Sequence, residues 1–386
     1  MKKVTIIFLI TIAVAAALMA VACSKPRLAA PTWVTIDDEL NLTWEKIDSA
    51  RSYLVEIKSV ADKIVVEKKT KTASYSLESL EEGDYELRIR AVADERKNSN
   101  SAWSSVTEMH KDKENGCIYK LINNSTEYKL VKYGTSSGVV VIDDVFRNKP
   151  VTMIDAGAFR GSSKVEEVYI NGDSVTDIGE YAFYNCQNLS KVVISDSVKS
   201  IGVRAFQACR KLAEVNIPSG VRSISEYAFN YCTSLTSITI PEGVVTIEKS
   251  AFAGCYSLKE VTMPDSLVVL GEAAFSSCFN ENNEGGNLGL EKVVLGKNLT
   301  VIGVSAFESN RALKTVVFPE QSSLKTISSR AFYSCDSLAE IPLPAGLQTI
   351  SSLSFANCAS LASVTIPSTV VSVGYQAFFY TSFYKA

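Results

Sequence analysis

The sequence predicts an all-β chain, in which a β-sandwich is followed by a solenoid of repeated coils with a single parallel β-sheet flank. Two patterns lead to this prediction. Residues 31–109 contain short runs in which apolar and polar residues alternate, as in strands with one buried face. From Val151 onward a unit recurs, marked by an Ala-Phe or Ser-Phe pair whose phenylalanine returns every 23 to 25 residues, with one interval of 32. A fixed period of this length is typical of a solenoid.

The N-terminus predicts export. Lys2 and Lys3 precede an apolar run, Val4 to Val21, that ends in small residues before Cys23. This pattern favours a cleaved signal peptide over residues 1–22 rather than a membrane-spanning helix. The Ala22-Cys23 junction resembles the lipobox of bacterial lipoproteins. The resemblance implies that Cys23 is acylated and holds the mature chain in a lipid bilayer, with residues 23–30 as a tether.

The alternating strands of residues 31–109 are numerous enough for a β-sandwich. This segment resembles a fibronectin type III domain, and the matching residues are Pro31, Leu42, Trp44, Tyr53, Val55, Leu80, Gly83, Tyr85, Ile89, Ala91 and Ser101 to Ser104. Leu80, Gly83 and Tyr85 match the tyrosine corner of that family. The segment has no Arg-Gly-Asp tripeptide, so we favour a stiff spacer over a ligand-binding domain.

A charged linker is predicted at residues 110–116, and we expect its first residue, the single histidine His110, to be solvated rather than catalytic. Residues 117–150 are expected to cap the solenoid, with a hairpin turning around Asn123 and Asn124. Residues 151–386 then form about ten coils. Within one coil, Ile238 and Ile240 point inward from a strand that Pro241 ends. Val244 and Ile247 follow at the spacing of a turn or half-helix.

Seven cysteines lie three residues after a marker phenylalanine: Cys186, Cys209, Cys232, Cys255, Cys278, Cys335 and Cys358. A metal ladder and a chain of disulfides are the alternatives to buried thiols. We favour buried thiols, because equivalent positions in stacked coils are about 4.8 Å apart and point the same way, whereas a disulfide needs Cβ atoms about 3.5–4.5 Å apart. Cys117 lies outside this series, and the sequence leaves open whether it is buried or reactive.

Several functions are disfavoured by composition. The net charge is -3 and basic residues form no block, which argues against nucleic-acid binding. With a single histidine and no phosphate-binding loop, the chain offers no catalytic triad and no nucleotide site. We therefore predict no enzyme activity, no cofactor and no metal.

The repeat unit, L-x-x-V-x-I-P-x-x-V-x-x-I-x-x-x-A-F-x-x-C, resembles the BspA-like leucine-rich repeats of bacterial surface proteins. The resemblance covers roughly residues 117–386. It implies an adhesion protein, lipid-anchored at the outer membrane or cell surface, that binds host extracellular matrix proteins or the surface proteins of other cells. A carbohydrate-binding lipoprotein is the second hypothesis, with exposed aromatic rings such as Tyr184, Tyr231 and Tyr256 stacking on sugars.

In the V-x-I strand pattern the middle residue must face outward, because side chains alternate along a strand. We define the uncharged strip as these residues: Tyr169, Val193, Asn216, Thr239, Thr262, Val294 and Val317, continued by Pro342 and Thr365. The neighbouring outward row carries charge: Glu167, Lys191, Glu214, Glu260, Lys292 and Glu340. An uncharged centre with a charged rim is typical of an interface. The simpler alternative is that Thr and Val favour strands.

One coil carries about nine extra residues between Cys278 and Leu290. Its polar members Asn280, Glu281 and Glu284 make it a candidate binding loop or weak calcium site. We favour a tolerated insertion, since solenoids accommodate such segments on one face.

Overall fold

A computed structural model describes residues 25–32, 34–36, 41–94, 96–112, 117–124, 126–134, 137–280 and 288–385. The predicted signal peptide and Cys23 lie outside these residues. The chain divides into two compact units, one ending at Lys111 and the other beginning at Asp112.

The first unit is built from antiparallel strands. They are β1 (Thr35–Ile36), β2 (Asn41–Thr43), β3 (Ala50–Ser59), β4 (Val65–Thr70), β5 (Ser74–Ser76), β6 (Gly83–Ala93) and β7 (Thr107–Lys111). One sheet has the order β1-β2-β5, and the other includes β4-β3-β6-β7. Alternate residues of β6 are buried, as its sequence pattern predicts. The Trp44 ring packs edge-on against Tyr53 at 5.2 Å, and the Tyr85 hydroxyl donates to the Glu81 carbonyl at 2.9 Å.

The prediction that His110 is a solvated linker residue is wrong. β7 continues to Lys111, so His110 belongs to a strand, and its side chain is 2% exposed. The strand pairs with β6 along its whole length, which places Asp84 opposite His110. The His110 Nδ1 lies 3.0 Å from Asp84 Oδ1.

The second unit begins with the predicted hairpin, in which β8 (Ile118–Ile122) pairs with β9 (Glu127–Lys132). After it come β10 (Gly138–Ile142), β11 (Val145–Phe146) and β12 (Lys149–Ile154). β9 pairs in parallel with β12, and the Tyr133 ring stacks on Phe159 at 4.8 Å. The hairpin therefore covers the first coil by supplying half a coil of its own.

The V-x-I segments form the side of the solenoid that we call the strand flank. Its strands are β10, β13 (Val165–Ile170), β15 (Lys191–Val193), β17 (Glu214–Val215), β20 (Glu260–Thr262), β24 (Lys292–Val294), β26 (Thr315–Val317), β28 (Glu340–Ile341) and β30 (Ser363–Val364). They form three parallel sheets, β10-β13-β15-β17, β20-β24-β26 and β28-β30.

A second side of each coil is also extended, and we call it the second flank. Its strands are β12, β14 (Asp177–Ile178), β16 (Ser200–Ile201), β18 (Ser223–Ile224), β19 (Thr246–Ile247), β21 (Val269–Leu270), β25 (Val301–Ile302), β27 (Thr326–Ile327), β29 (Thr349–Ile350) and β31 (Ser372–Val373). They pair in parallel from coil to coil in two runs, β12-β14-β16 and β18-β19-β21-β25-β27-β29-β31. The prediction of a single parallel flank is therefore wrong. Where the spacing of Val244 and Ile247 predicts a turn or half-helix, a turn at residues 242–243 leads into strand β19. Backbone N–H groups here bond to the preceding coil, as Glu248 N does to Ile224 O at 2.9 Å, and an extended segment allows this.

The Ala-Phe pairs lie on the third side, the turn side. The marker phenylalanines stack through the core with ring centroids 4.5–5.9 Å apart. Residues two positions before and after each of them have left-handed backbones, for example Tyr227 (φ 56°) and Tyr231 (φ 58°) around Phe229. The remaining elements are β22 (Phe279–Asn280), β23 (Leu288–Gly289) and the short helix α1 (Ser382–Lys385).

Candidate functional site

The uncharged strip lies on the outer surface of the strand flank. Val168 and Ile170, on either side of Tyr169, are buried, whereas Tyr169 itself is half-buried and Val193 is exposed. Strand register aligns the members, since Tyr169 is opposite Val193 and Val294 lies between Thr262 and Val317. Alternation along each strand therefore puts these residues in a row, as the sequence pattern predicts.

The charged row beside the strip is largely neutralised by pairing between coils. Lys191 Nζ lies 2.9 Å from Glu214 Oε2, and Lys292 Nζ lies 2.6 Å from Glu260 Oε1. The hydrogen bond to Glu214 raises the pKa of Lys191. These exposed pairs add little stability. They do give the strip a border that contains both positive and negative groups.

Tyr169 joins the two rows. Its hydroxyl donates to Glu167 Oε2 at 2.7 Å, and this hydrogen bond raises the pKa of Tyr169. Because the hydroxyl already donates its proton, it can only accept a further hydrogen bond from a partner, and the ring supplies the apolar contact.

The strand flank is interrupted in the middle of the strip, at Asn216. Its side-chain amide takes the place of a strand: Nδ2 donates to Ile194 O and Oδ1 accepts from Ile194 N, both at 2.7 Å. In the next coil, residues 236–240 share no backbone hydrogen bond with the described residues of either neighbouring coil. The result is a shallow depression of about 490 Å³, whose lining includes Val193, Asn216 and Thr239. The structure thus groups three strip residues around one concavity.

Sequence reasoning missed the first member of the strip. Val141, on β10, lies opposite Tyr169 and is 49% exposed, and Val139 on the same strand is 60% exposed. Val140-Val141-Ile142 has the V-x-I pattern that could have revealed it. The segment that contains β11 lengthens this coil and obscures the repeat period.

The other predicted sites fall on different parts of the molecule. The inserted segment begins and ends in the paired strands β22 and β23, and Glu281 and Glu284 lie outside the described residues, as do the Asn280 side chain and Cys23. Among the described residues, no cluster of His, Cys, Asp or Glu is suited to hold a metal ion, and no helix is long and apolar enough to cross a bilayer.

The aromatic residues of the turn side make contacts within the protein. The Arg160 guanidinium lies over the rings of Tyr181 and Tyr184, at 5.4 and 5.5 Å from their centroids. Tyr231 and Tyr256 meet edge to face at 6.3 Å. Ring faces that hold a guanidinium are less available to a sugar.

The cysteines of the repeat are free and buried, which confirms the prediction of unpaired thiols for the described residues. Each of the seven lies within hydrogen-bond distance of the marker-phenylalanine carbonyl of the preceding coil, as Cys255 Sγ does with Phe229 O at 3.3 Å. Cys117 is also buried, and burial raises its pKa to about 12. These thiols belong to the core and not to a reactive site.

Comparison with known proteins identifies the repeat. The family model described as "BspA type Leucine rich repeat region (6 copies)" matches residues 152–282 and 286–385. No curated protein matches significantly. Similar solved structures include a leucine-rich repeat protein of T. pallidum, with 26% identity over 57% of this chain and 86% of the other at a TM-score of 0.41. A leucine-rich cell surface protein of Faecalibacterium prausnitzii has 24% identity over 69% and 94%, with a TM-score of 0.37. The pneumococcal vaccine antigen PcpA has 20% identity over 69% and 78%, with a TM-score of 0.45.

Proposed function

Because this chain belongs to the BspA-type leucine-rich repeat family, we propose that it is a surface-anchored adhesion protein that binds proteins through the uncharged strip. The observation that carries the proposal is the strip itself. It is an outward row without charge on a chain in which 21% of residues are charged. Host extracellular matrix proteins and surface proteins of other cells are the proposed ligands.

The composition of the strip suits a protein interface. Interfaces have an apolar centre and a polar rim, and the paired charges of the neighbouring row supply that rim. Tyr169 is the proposed anchor, since tyrosine is enriched among residues that dominate binding energy. Most of the strip lies on paired strands above a buried core, so little conformational entropy is lost when a partner docks there.

Anchoring is the second part of the proposal. The basic and apolar N-terminal segment with Ala22-Cys23 supports export and acylation of Cys23, and hence a location at the outer membrane or cell surface. The first unit is proposed to be a fibronectin type III-like spacer. Its two antiparallel sheets and the hydrogen bond from Tyr85 to Glu81 support that assignment.

We propose binding without catalysis. The single histidine, His110, is buried against Asp84, which leaves no histidine to activate a nucleophile at the strip. Carbohydrate binding is the alternative function, through Tyr184, Tyr231 and Tyr256. We place it second because the Tyr184 ring already contacts the Arg160 guanidinium.

The experiment places charge in the strip. Thr239→Lys with Thr262→Lys should leave the fold intact, because both side chains are exposed. Val245→Lys with Val268→Lys is the matched control, since these valines are exposed on the second flank in the same two coils. Binding of each full-length variant is measured on immobilised extracellular matrix proteins and, in parallel, on acidic and neutral glycans.

We expect the strip variant to lose binding at least tenfold to a protein that the natural chain binds, and the control variant to keep it. Equal binding by all three would place the site elsewhere, on the inserted segment at 279–288 or the turn-side tyrosines. Binding to glycans alone, abolished by Tyr231→Ala, would favour the carbohydrate alternative.

A further inference from the structure

β10 is an open edge of the strand flank. On one side it pairs in parallel with β13. On its other side it pairs with no strand among the described residues, and Val139 to Val141 share no backbone hydrogen bond there with a described residue. A free strand edge presents N–H and C=O groups, and the group that satisfies a row of them best is another extended backbone.

This edge lacks the charged residues and prolines that commonly discourage pairing, and its one irregularity lies at the start of the strand, between Gly138 and Val139. β10 reads Gly-Val-Val-Val-Ile, without charge or proline, and Val139 and Val141 are 60% and 49% exposed. β4, the edge strand of the first unit, also exposes valines but carries Glu67, Lys68 and Lys69. Charged residues on an edge strand oppose edge-to-edge association. β10 therefore differs from β4 in lacking this protection.

We propose that two copies of this chain associate about a two-fold axis, with their β10 strands paired antiparallel. A two-fold pair uses the same edge on both copies and closes on itself. The inward and outward alternation of side chains is the same in both strands of such a pair. With Val140 on the axis, Val139 of one copy lies opposite Val141 of the other, and all four exposed valines share the outer face.

The charges at the two ends of β10 favour the antiparallel direction. Asp143 and Asp144 follow the strand, and Asp173 lies beside them, since its N–H donates to Asp144 Oδ2 at 3.4 Å. The start of the strand is more nearly neutral. Its Gly138 N–H donates to the carbonyl of Lys164, and Glu166 is close in sequence to that lysine. A parallel pair would bring six carboxylates together, whereas an antiparallel pair separates the two acidic ends.

The pair would be weak but would extend the proposed binding surface. Two short edge strands bury less than the roughly 1,600 Å² of a standard interface, so dimerisation should depend on concentration. The four strands β10-β13-β15-β17 of each copy would join into one sheet, and the strip from Val193 through Tyr169 to Val141 would continue across the axis. This inference does not rest on the strip being a binding site, because self-association is measured without any ligand.

The test uses the full chain in detergent and follows its mass by sedimentation velocity over a wide range of concentration. We expect a monomer–dimer equilibrium for the natural chain. Val139→Lys with Val141→Lys should give a monomer throughout, and Val245→Lys with Val268→Lys should dimerise like the natural chain. Thermal unfolding by circular dichroism checks that the variants are folded.

A second measurement tests the strand direction. Val139→Cys and Val141→Cys variants are mixed under mild oxidation, and a disulfide-linked dimer should form between them, because the other thiols of the described residues are buried. A natural chain that is monomeric at every concentration would overturn the proposal. So would dimerisation unaffected by the two lysines, growth into larger open-ended assemblies, or a dimer in which the cysteine variants crosslink only with themselves or not at all.

Discussion

Three residues after eight of the ten marker phenylalanines, the side chain donates a hydrogen bond to a backbone carbonyl of the preceding coil. Cysteine fills most of these positions. Asn310 fills one of them, and its Nδ2 donates to Phe275 O at 2.7 Å and to Phe307 O at 2.9 Å. The sequence predicted a buried residue at this position. It could not predict the hydrogen bond, because the accepting carbonyl belongs to the preceding coil.

The buried thiols should make the protein sensitive to alkaline pH. Burial raises the pKa of Cys278 to about 12, and it also raises the pKa values of Cys209, Cys232, Cys255 and Cys335. An unfolded chain ionises its thiols near pH 8.5, while the folded chain keeps them protonated. Stability is therefore complete below that pH and falls as the pH rises toward the folded-state values, by about 1.4 kcal/mol per pH unit for each thiol.

We expect the free energy of unfolding in urea to fall between pH 8.5 and 9.5 and to fall less steeply in a Cys255→Ala, Cys278→Ala variant. Thiol reagents should label the native protein slowly and the denatured protein quickly. Rapid labelling of the native protein at neutral pH would contradict the burial of these thiols.

At the scale of the coil, the stack of marker phenylalanines is an apolar contact that runs from each coil to the next. Phe252 is fully buried, and its ring lies 5.3 Å from Phe229 and 5.0 Å from Phe275. We expect Phe252→Ala to lower the free energy of unfolding by about 3–5 kcal/mol, because it removes both ring contacts and leaves a cavity in the core. Chemical denaturation measures the loss.

Tyr231→Ala is the matched control for this substitution. It removes an aromatic ring of similar size from the same side of the solenoid, but that ring is 47% exposed. The control should cost less than half as much as Phe252→Ala. Equal losses would mean that the coil register, and with it the placement of the uncharged strip, is incorrect.

The elements also show where sequence patterns were sufficient. The V-x-I segments alternate with a period of two, which strands alone produce, and the outward row followed from it. The spacing of three between Val244 and Ile247 fits a turn, a half-helix or a bent extended segment equally well. The choice of the extended form depends on hydrogen bonds to the preceding coil, such as Val245 N to Arg222 O at 2.8 Å. The gap at Asn216 arises likewise from a contact between coils, with Ile194.

For the whole molecule, the proposed lipid attachment at Cys23 determines where the strip can act. We expect Cys23→Ser to abolish metabolic labelling with palmitate and to release the protein from the membrane fraction, because acyl chains provide the hydrophobic attachment. Fractionation and labelling of cells that produce either chain measure this. Ser24→Ala is the control and should behave like the natural chain. Full membrane retention of the Cys23→Ser variant would contradict lipid anchoring.

The stacking of coils also has a mechanical consequence. Each coil is fastened only to its two neighbours, so a load applied between the N-terminal anchor and a captured ligand would be borne by the coils between them, while those beyond the ligand would carry none. A coil that peels away, such as the 23 residues from Phe229 to Phe252, lengthens from about one ring spacing of 5.3 Å to about 80 Å of extended chain. The solenoid would then lengthen in discrete steps, and each step would absorb part of the work done by a sudden pull.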